Sequence, residues 1–163
     1  MNKFLSVVLI SSSLLICHGC VNVTYEGYID IDVPADVVFS VLENYEEYPD
    51  FISEFHSETK IISDVKTGIG VIIDNRYIWR GHTITSTFTV SDYAQNHFIV
   101  LKNLSQGGYS EMIVEDMGSG KTKYKLKNEL RIPKGMQQEL FAAFDRELLL
   151  VKRECENSHL ANQ

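Results

Sequence analysis

Few stretches of this 163-residue sequence are of a type that does chemistry directly. Gly120-Lys121-Thr122 ends as a phosphate-cradling loop does, but Glu115 stands where the first glycine is required, and a strand-like run follows where a helix should begin. It reads as a hairpin turn. His18, His56, His82, His97 and His159 form no i, i+4 pair and no cysteine pairing of metal-site type, so each is expected on the surface or in a turn. No Gly-x-Ser-x-Gly elbow is present, and Cys155 falls on an apolar helical stripe, as a small buried group would. Two amides are more informative. Asn128 falls in phase with Tyr124, Leu126, Leu130 and Ile132, and Asn75 with Ile73 and Tyr77, so each is expected on a buried face where it must find a partner. A partner inside the protein and a polar group on a ligand both satisfy that demand.

The elements that must position these residues follow from periodicity. From Val21 to Val33 the odd positions are mostly apolar, the period-two pattern of a half-buried strand. Pro34 then opens a short helix over 35–44, which Tyr48-Pro49 should break by pushing Tyr48 out of helical geometry, with one more turn over 51–55. Six β-rich runs follow, roughly 57–65, 71–79, 83–92, 97–104, 109–117 and 121–132, each bounded by glycine or Gln95-Asn96. Runs joined by short turns make an antiparallel meander. Met136, Leu140, Phe144, Leu148, Val151 and Cys155 then recur at three- or four-residue spacing, predicting one long helix from 136 to about 159. The fold class is α+β.

Composition restricts the function. Apolar residues make up 44%, aromatic 10% and charged 23%, an ordinary single-domain core. Twenty-two acidic against 15 basic residues give a net charge of −7, which argues against nucleic acid as a partner. At the N-terminus Lys3 precedes the uncharged, mostly apolar run from Phe4 to Ile16, and Gly19 and Cys17 place small residues before Cys20. Residues 1–19 read as an export signal, leaving a domain over 20–163, with a retained anchor as the alternative. Leu15-Ile16-Cys17-His18-Gly19-Cys20 also resembles a bacterial lipoprotein signal, in which the cysteine becomes diacylated. That reading implies an envelope or periplasmic location and membrane attachment through Cys20; without acylation, Cys20 and Cys155 are available to pair. Asn22-Val23-Thr24 and Asn103-Leu104-Ser105 match the glycosylation pattern, which matters only in a eukaryotic secretory pathway.

Val33-Pro34-Ala35-Asp36-Val37-Val38-Phe39 after an alternating strand, Tyr48-Pro49-Asp50-Phe51, the Gly68/Gly70 turn and the terminal helix together resemble the START-like (SRPBCC) superfamily, closest to its polyketide cyclase and coenzyme Q-binding branch. The resemblance implies a helix-grip fold: a curved, seven-stranded antiparallel sheet wrapped around the long C-terminal helix, with two short helices after the first strand. Such an arrangement encloses a tapering, mostly apolar site. Residues expected to line it are Ile73, Asn75, Tyr77, Trp79, Phe88, Tyr124, Leu126, Asn128, Leu140, Phe144 and Leu148, with Val71, Ile84 and Leu130 also inward; simple core filling is the competing reading for each. Three functions stay open. The first is an exported carrier of an apolar or amphipathic molecule of the lipid, quinone or polyketide class, with no cofactor or metal. The second is a cyclase-like enzyme using an acid or base such as His56, Tyr77, Arg76 or Arg80. The third is an interaction module with a filled core that docks a protein through its outer sheet face or the first-helix loop around Tyr45 and Tyr48.

Overall fold

A computed structural model describes residues 19–53 and 56–161. The segment 1–18, which carries the export and anchor readings, lies outside the described residues, as do 54 and 55 at the end of the expected extra helical turn. Strand β1 (Cys20–Ile31) is followed by helix α1 (Ala35–Glu43), a single 3-10 turn (Tyr45–Glu47) and the short α2 (Tyr48–Phe51). Strands β2 (His56–Ile61), β3 (Ile72–Trp79), β4 (His82–Ala94), β5 (Phe98–Asn103), β6 (Tyr109–Gly118) and β7 (Lys121–Pro133) lead to helix α3 (Gln137–Ala161).

All seven strands join one antiparallel sheet in the order β1-β7-β6-β5-β4-β3-β2. The meander expected from the glycine punctuation runs from β2 to β7, and β1 completes it by pairing along β7 from Cys20↔Pro133 to Ile31↔Thr122. Ser119 and Gly120, both at positive φ, form the two-residue turn between β6 and β7, so the Gly-Lys-Thr segment is a hairpin corner. Register shifts between His56 and Glu58, between Val90 and Asp92 and between Asp116 and Gly118 each insert one extra residue. Such bulges bend strands and increase twist. The resulting concave face receives α3, whose 25 residues span about 37 Å.

The C-terminal half of α3 is packed tightly. Leu148, Val151 and Cys155 are buried together with Tyr124 and Leu126 of β7, while Val38, Phe39, Val41 and Leu42 of α1 close that end of the core. Contact is closest at Gly27. A Cβ there would stand 2.9 Å from Leu148 Cδ1 and 2.7 Å from Tyr25 Cζ, so the missing side chain is what lets the Tyr25 ring cross β1 beneath the helix. Tyr25 then donates a 2.7 Å hydrogen bond to Asp145 Oδ1 and packs edge-on against Phe141.

Three expectations are corrected here. Tyr48 keeps helical geometry (φ −52°, ψ −40°) and opens α2. The pre-proline restriction is a preference, and it is outweighed by burial of the ring and by the 2.6 Å bond from its hydroxyl to Leu42 O. Tyr45 and Tyr48 are both buried, so neither ring is available to a partner docking at this loop. Cys155 is a free, buried thiol, pushed up to about 12 by desolvation, so no Cys20–Cys155 bond forms.

Gly27→Ala should cost about 1–3 kcal/mol by overpacking the β1–α3 contact. At roughly 2–4 °C per kcal/mol for a chain of this size, thermal unfolding followed by circular dichroism should show a midpoint lowered by several degrees. An unchanged midpoint would mean that the close approach is not a constraint.

Candidate functional site

Where α3 enters the fold its packing loosens, and a cavity of about 260 Å³ opens between the helix and the sheet. Its walls are mostly apolar: Tyr77, Ile78 and Trp79 on β3, Ile84 and Phe88 on β4, Leu130 and Ile132 on β7, and Met136, Leu140, Ala143 and Phe144 leading into and along α3. The mouth is framed by the β3–β4 hairpin tip, the β5–β6 loop at Gln106 and the Pro133–Met136 connection. The hairpin turns through Arg80 and Gly81, both at positive φ. Arg80 Nε donates to Glu139 Oε1 at 3.2 Å, and its Nη2 also pairs with Glu139, tying the hairpin tip to the first turn of α3.

Polar groups converge on this apolar space. His56, Ser86, Asn103, Ser110, Asn128 and Glu147 all line it. Asn103 is internally satisfied, its Oδ1 accepting from the backbone N–H groups of Ser105 and Gln106 at 2.9 Å. Others are not. Asn128 Oδ1, His56 Nδ1 and Trp79 Nε1 are buried with no hydrogen-bond partner among the described residues. Unsatisfied buried atoms of this kind cost about 1–3 kcal/mol each, and a ligand hydroxyl or carbonyl would relieve them.

The sequence-derived lining residues divide by depth. Tyr77, Trp79, Phe88, Asn128, Leu140 and Phe144 face the cavity. Ile73, Tyr124, Leu126 and Leu148 lie deeper, in the filled core, because the closed end of the fold leaves no room between sheet and helix. Asn75 is buried too; its Nδ2 donates to Tyr77 Oη at 3.1 Å while its Oδ1 has no partner among the described residues. Of the acid–base candidates, Arg76 and Arg80 point outward into ion pairs with Glu58 and Glu139. His56 was expected at the surface and is buried. The cause is the bulge at Ser57, which shifts the inward phase of β2 so that His56 and Thr59 both face in. Its ring lies 4.8 Å from that of Tyr77 and 5.6 Å from that of Tyr48.

Glu147 was not singled out, yet its position was readable. It stands seven residues after Leu140 and four before Val151, inside the apolar stripe, the same out-of-place signal that marks Asn128. Desolvation pushes its carboxyl up to about 7, while burial drives the His56 imidazole down to about 4. The phenols electrostatically coupled to Glu147, those of Tyr25, Tyr48, Tyr77 and Tyr124, are all raised above their ordinary range and remain neutral. The site therefore holds one group near neutrality, able to give or take a proton, and one neutral imidazole.

These shifts fix a pH signature. Raised from 4.5 to about 7, Glu147 makes folding less favourable as pH climbs through that interval; lowered from 6.5 to about 4, His56 makes it less favourable as pH falls through its own. Each slope approaches about 1.4 kcal/mol per pH unit, and between roughly 4.5 and 6.5 the two offset one another. Glu147→Gln should remove one limb. Denaturant unfolding should show the variant gaining on the wild type as pH rises from 4.5 to 7.5, by no more than about 3 kcal/mol; a difference that does not change with pH would refute a desolvated carboxyl.

No protein-family model matches the sequence, and no curated protein matches it. Solved structures do. The Zhui aromatase/cyclase from Streptomyces sp. R1128 superposes with a TM-score of 0.69 at 17% identity, covering 83% of this chain and 94% of that one. A START superfamily protein from Mycobacterium smegmatis gives 0.68 at 13% identity, over 82% and 97% of the two chains. The ginseng major latex-like protein 151 from Panax ginseng gives 0.67 at 11%, over 85% and 98%. At such identities the likeness speaks for architecture: a bent antiparallel sheet of seven strands closed on a C-terminal helix, which is the helix-grip fold.

Proposed function

We propose that the protein binds an apolar or amphipathic small molecule, of the lipid, quinone or polyketide class, between the sheet and the N-terminal half of α3. The observation that carries this reading is the pairing of a roughly 260 Å³ apolar cavity with buried polar atoms that have no partner among the described residues. Apolar walls supply affinity through desolvation, and a few fixed polar groups supply orientation. The ligand that fits has a flat or flexible hydrocarbon body. It also carries a donor for Asn128 Oδ1 and an acceptor for the Trp79 indole N–H. Native mass spectrometry after gentle purification, with lipid extraction, should reveal a bound apolar species, and Ala143→Phe, which fills the cavity from the helix side, should reduce retention at least tenfold. A chain that co-purifies with nothing apolar and takes up no added quinone or fatty acid would refute the proposal.

One observation favours a second reading. Glu147 near neutrality and a neutral His56 share the cavity, the provision that a cyclase-like proton transfer requires. The aromatase/cyclase among the structural neighbours supports it by analogy of fold alone. This reading requires turnover of a polyketide surrogate that disappears in Glu147→Gln while ligand retention persists.

We also propose that the chain is exported and held in a bacterial envelope through its N-terminus, on the strength of the apolar run from Phe4 to Ile16 and the Gly19-Cys20 junction. Acylation and a disulfide compete for the same Cys20 sulfur. Intact-mass measurement of the membrane-extracted protein should give a chain beginning at Cys20 and carrying a diacylglyceryl group; an unmodified or disulfide-bonded Cys20 would exclude the lipid anchor.

A further inference from the structure

Among the described residues, Glu147 is the one carboxyl that lines the cavity, and no partner answers it there. It makes no hydrogen bond or ion pair with any of them, and its raised proton affinity comes from burial alone. The phenols electrostatically coupled to it are otherwise engaged or turned elsewhere: Tyr25 donates to Asp145, Tyr48 to Leu42 O, and Tyr77 Oη accepts from Asn75. Glu147 is half-buried by contact yet shut off from bulk water, so the surface it keeps is turned to the cavity.

No cation stands by to neutralise it. Besides His56, the basic side chain along the lining is Arg131, which is exposed and out of phase with the inward Leu130 and Ile132. Burial holds the His56 imidazole neutral down to about pH 4. The remaining company is aromatic, since Tyr77, Trp79, Phe88 and Phe144 share the same walls. Ring faces attract cations, and Asn128 Oδ1, buried with no partner among the described residues, is an acceptor awaiting an N–H. A lone carboxyl, an orphaned amide oxygen and several ring faces together form a receptor for positive charge.

We infer that the cavity selects an amphipathic amine, held as its ammonium ion against Glu147 with its hydrocarbon body on the apolar and aromatic walls. The inference rests on the ligand reading proposed above and adds the chemistry of the head group. Its charge balance closes: an alkylammonium enters, the Glu147 carboxyl releases its proton to solvent, and the ion pair left behind is neutral. Taking an ammonium out of water is costly, and the carboxylate, Asn128 Oδ1 and the ring faces offset that cost together. A carboxylate head would meet a second acid and an uncharged imidazole, so fatty acids are disfavoured.

Because a proton must leave, binding strengthens as pH rises toward about 7, where Glu147 ionises by itself. The other groups facing it keep their charge on the way. Tyr25 of β1, Tyr48 of α2, Tyr77 of β3 and Tyr124 of β7 stay protonated, as does Cys155 further along α3, and His56 of β2 stays neutral. Strands β4, β5 and β6 present Ser86, Phe88, Asn103 and Ser110, and α1 adds apolar residues. Asp145 and Arg146, beside Glu147 on the helix, are exposed.

Isothermal titration of the purified full chain with decylamine, decanol and decanoate tests the inference. At pH 7.5 decylamine should bind at least about tenfold tighter than decanol, with decanoate weaker than either. In Glu147→Gln the amine-to-alcohol ratio should fall to within about twofold of unity. In the wild type alone, that ratio should rise at least about tenfold from pH 5.5 to 7.5, and at the lower pH about one proton should be released per amine bound, read from the dependence of the heat on buffer ionisation enthalpy. An amine no tighter than the alcohol, a preference that survives Glu147→Gln, or a ratio flat in pH overturns the inference. Decanol uptake without an amine preference sinks the head-group assignment and leaves the cavity reading standing. Failure of all three probes to bind sinks the cavity reading itself.

Discussion

A straight rod cannot touch a bent sheet along its whole length, and most of what this molecule offers follows from that mismatch. α3 is fixed where β1 lacks a side chain, at Gly27, and is pinned there by the Tyr25–Asp145 bond. From that point toward its C-terminus it beds into Leu126, Tyr124 and the short helix α1. Toward its N-terminus the sheet curves away. Leu140 and Phe144 are left only half-buried, with space before them. Filling that space with larger side chains would have been a simple way to gain stability, since interiors tend to close packing.

What the space contains instead is costly. A carboxyl, an imidazole, an amide and an indole N–H sit among apolar walls, three of them with buried atoms lacking a partner among the described residues. Local violations of this kind concentrate where function opposes stability. Glu147 and His56 illustrate it from opposite sides, because desolvation disfavours whichever form is charged: the acid is pushed to hold its proton and the base to shed it. The result is a carboxyl and an imidazole that are both held in their neutral forms between about pH 4 and 7.

Much of the architecture was legible because it depends on local rules. Period-two alternation and glycine punctuation located all seven strands within a few residues, and the apolar stripe located α3 to within about two. Asn128 was legible as an anomaly, a polar residue in an apolar phase. Glu147 carried the same signal on a helical period, a charged residue in phase with Leu140 and Val151. His56 was legible as a candidate acid or base, but its burial was not. Its inward position depends on a bulge at Ser57, and a one-residue register shift exchanges the two faces of a strand without leaving a mark in composition. Depth was equally hidden: Tyr124 and Leu126 share their face with Asn128, yet only Asn128 reaches the cavity, because taper is a property of the closed sheet and not of any strand.

The pairing of β1 with β7 joins residues about a hundred positions apart along twelve consecutive partners. The longest ladder in the sheet thus cannot begin until nearly the entire polypeptide has been synthesised, and such non-local closure is intrinsically slow. A topology that leaves its first strand waiting for its last has a built-in delay, during which the β7 edge of the growing sheet stays open to other pairings.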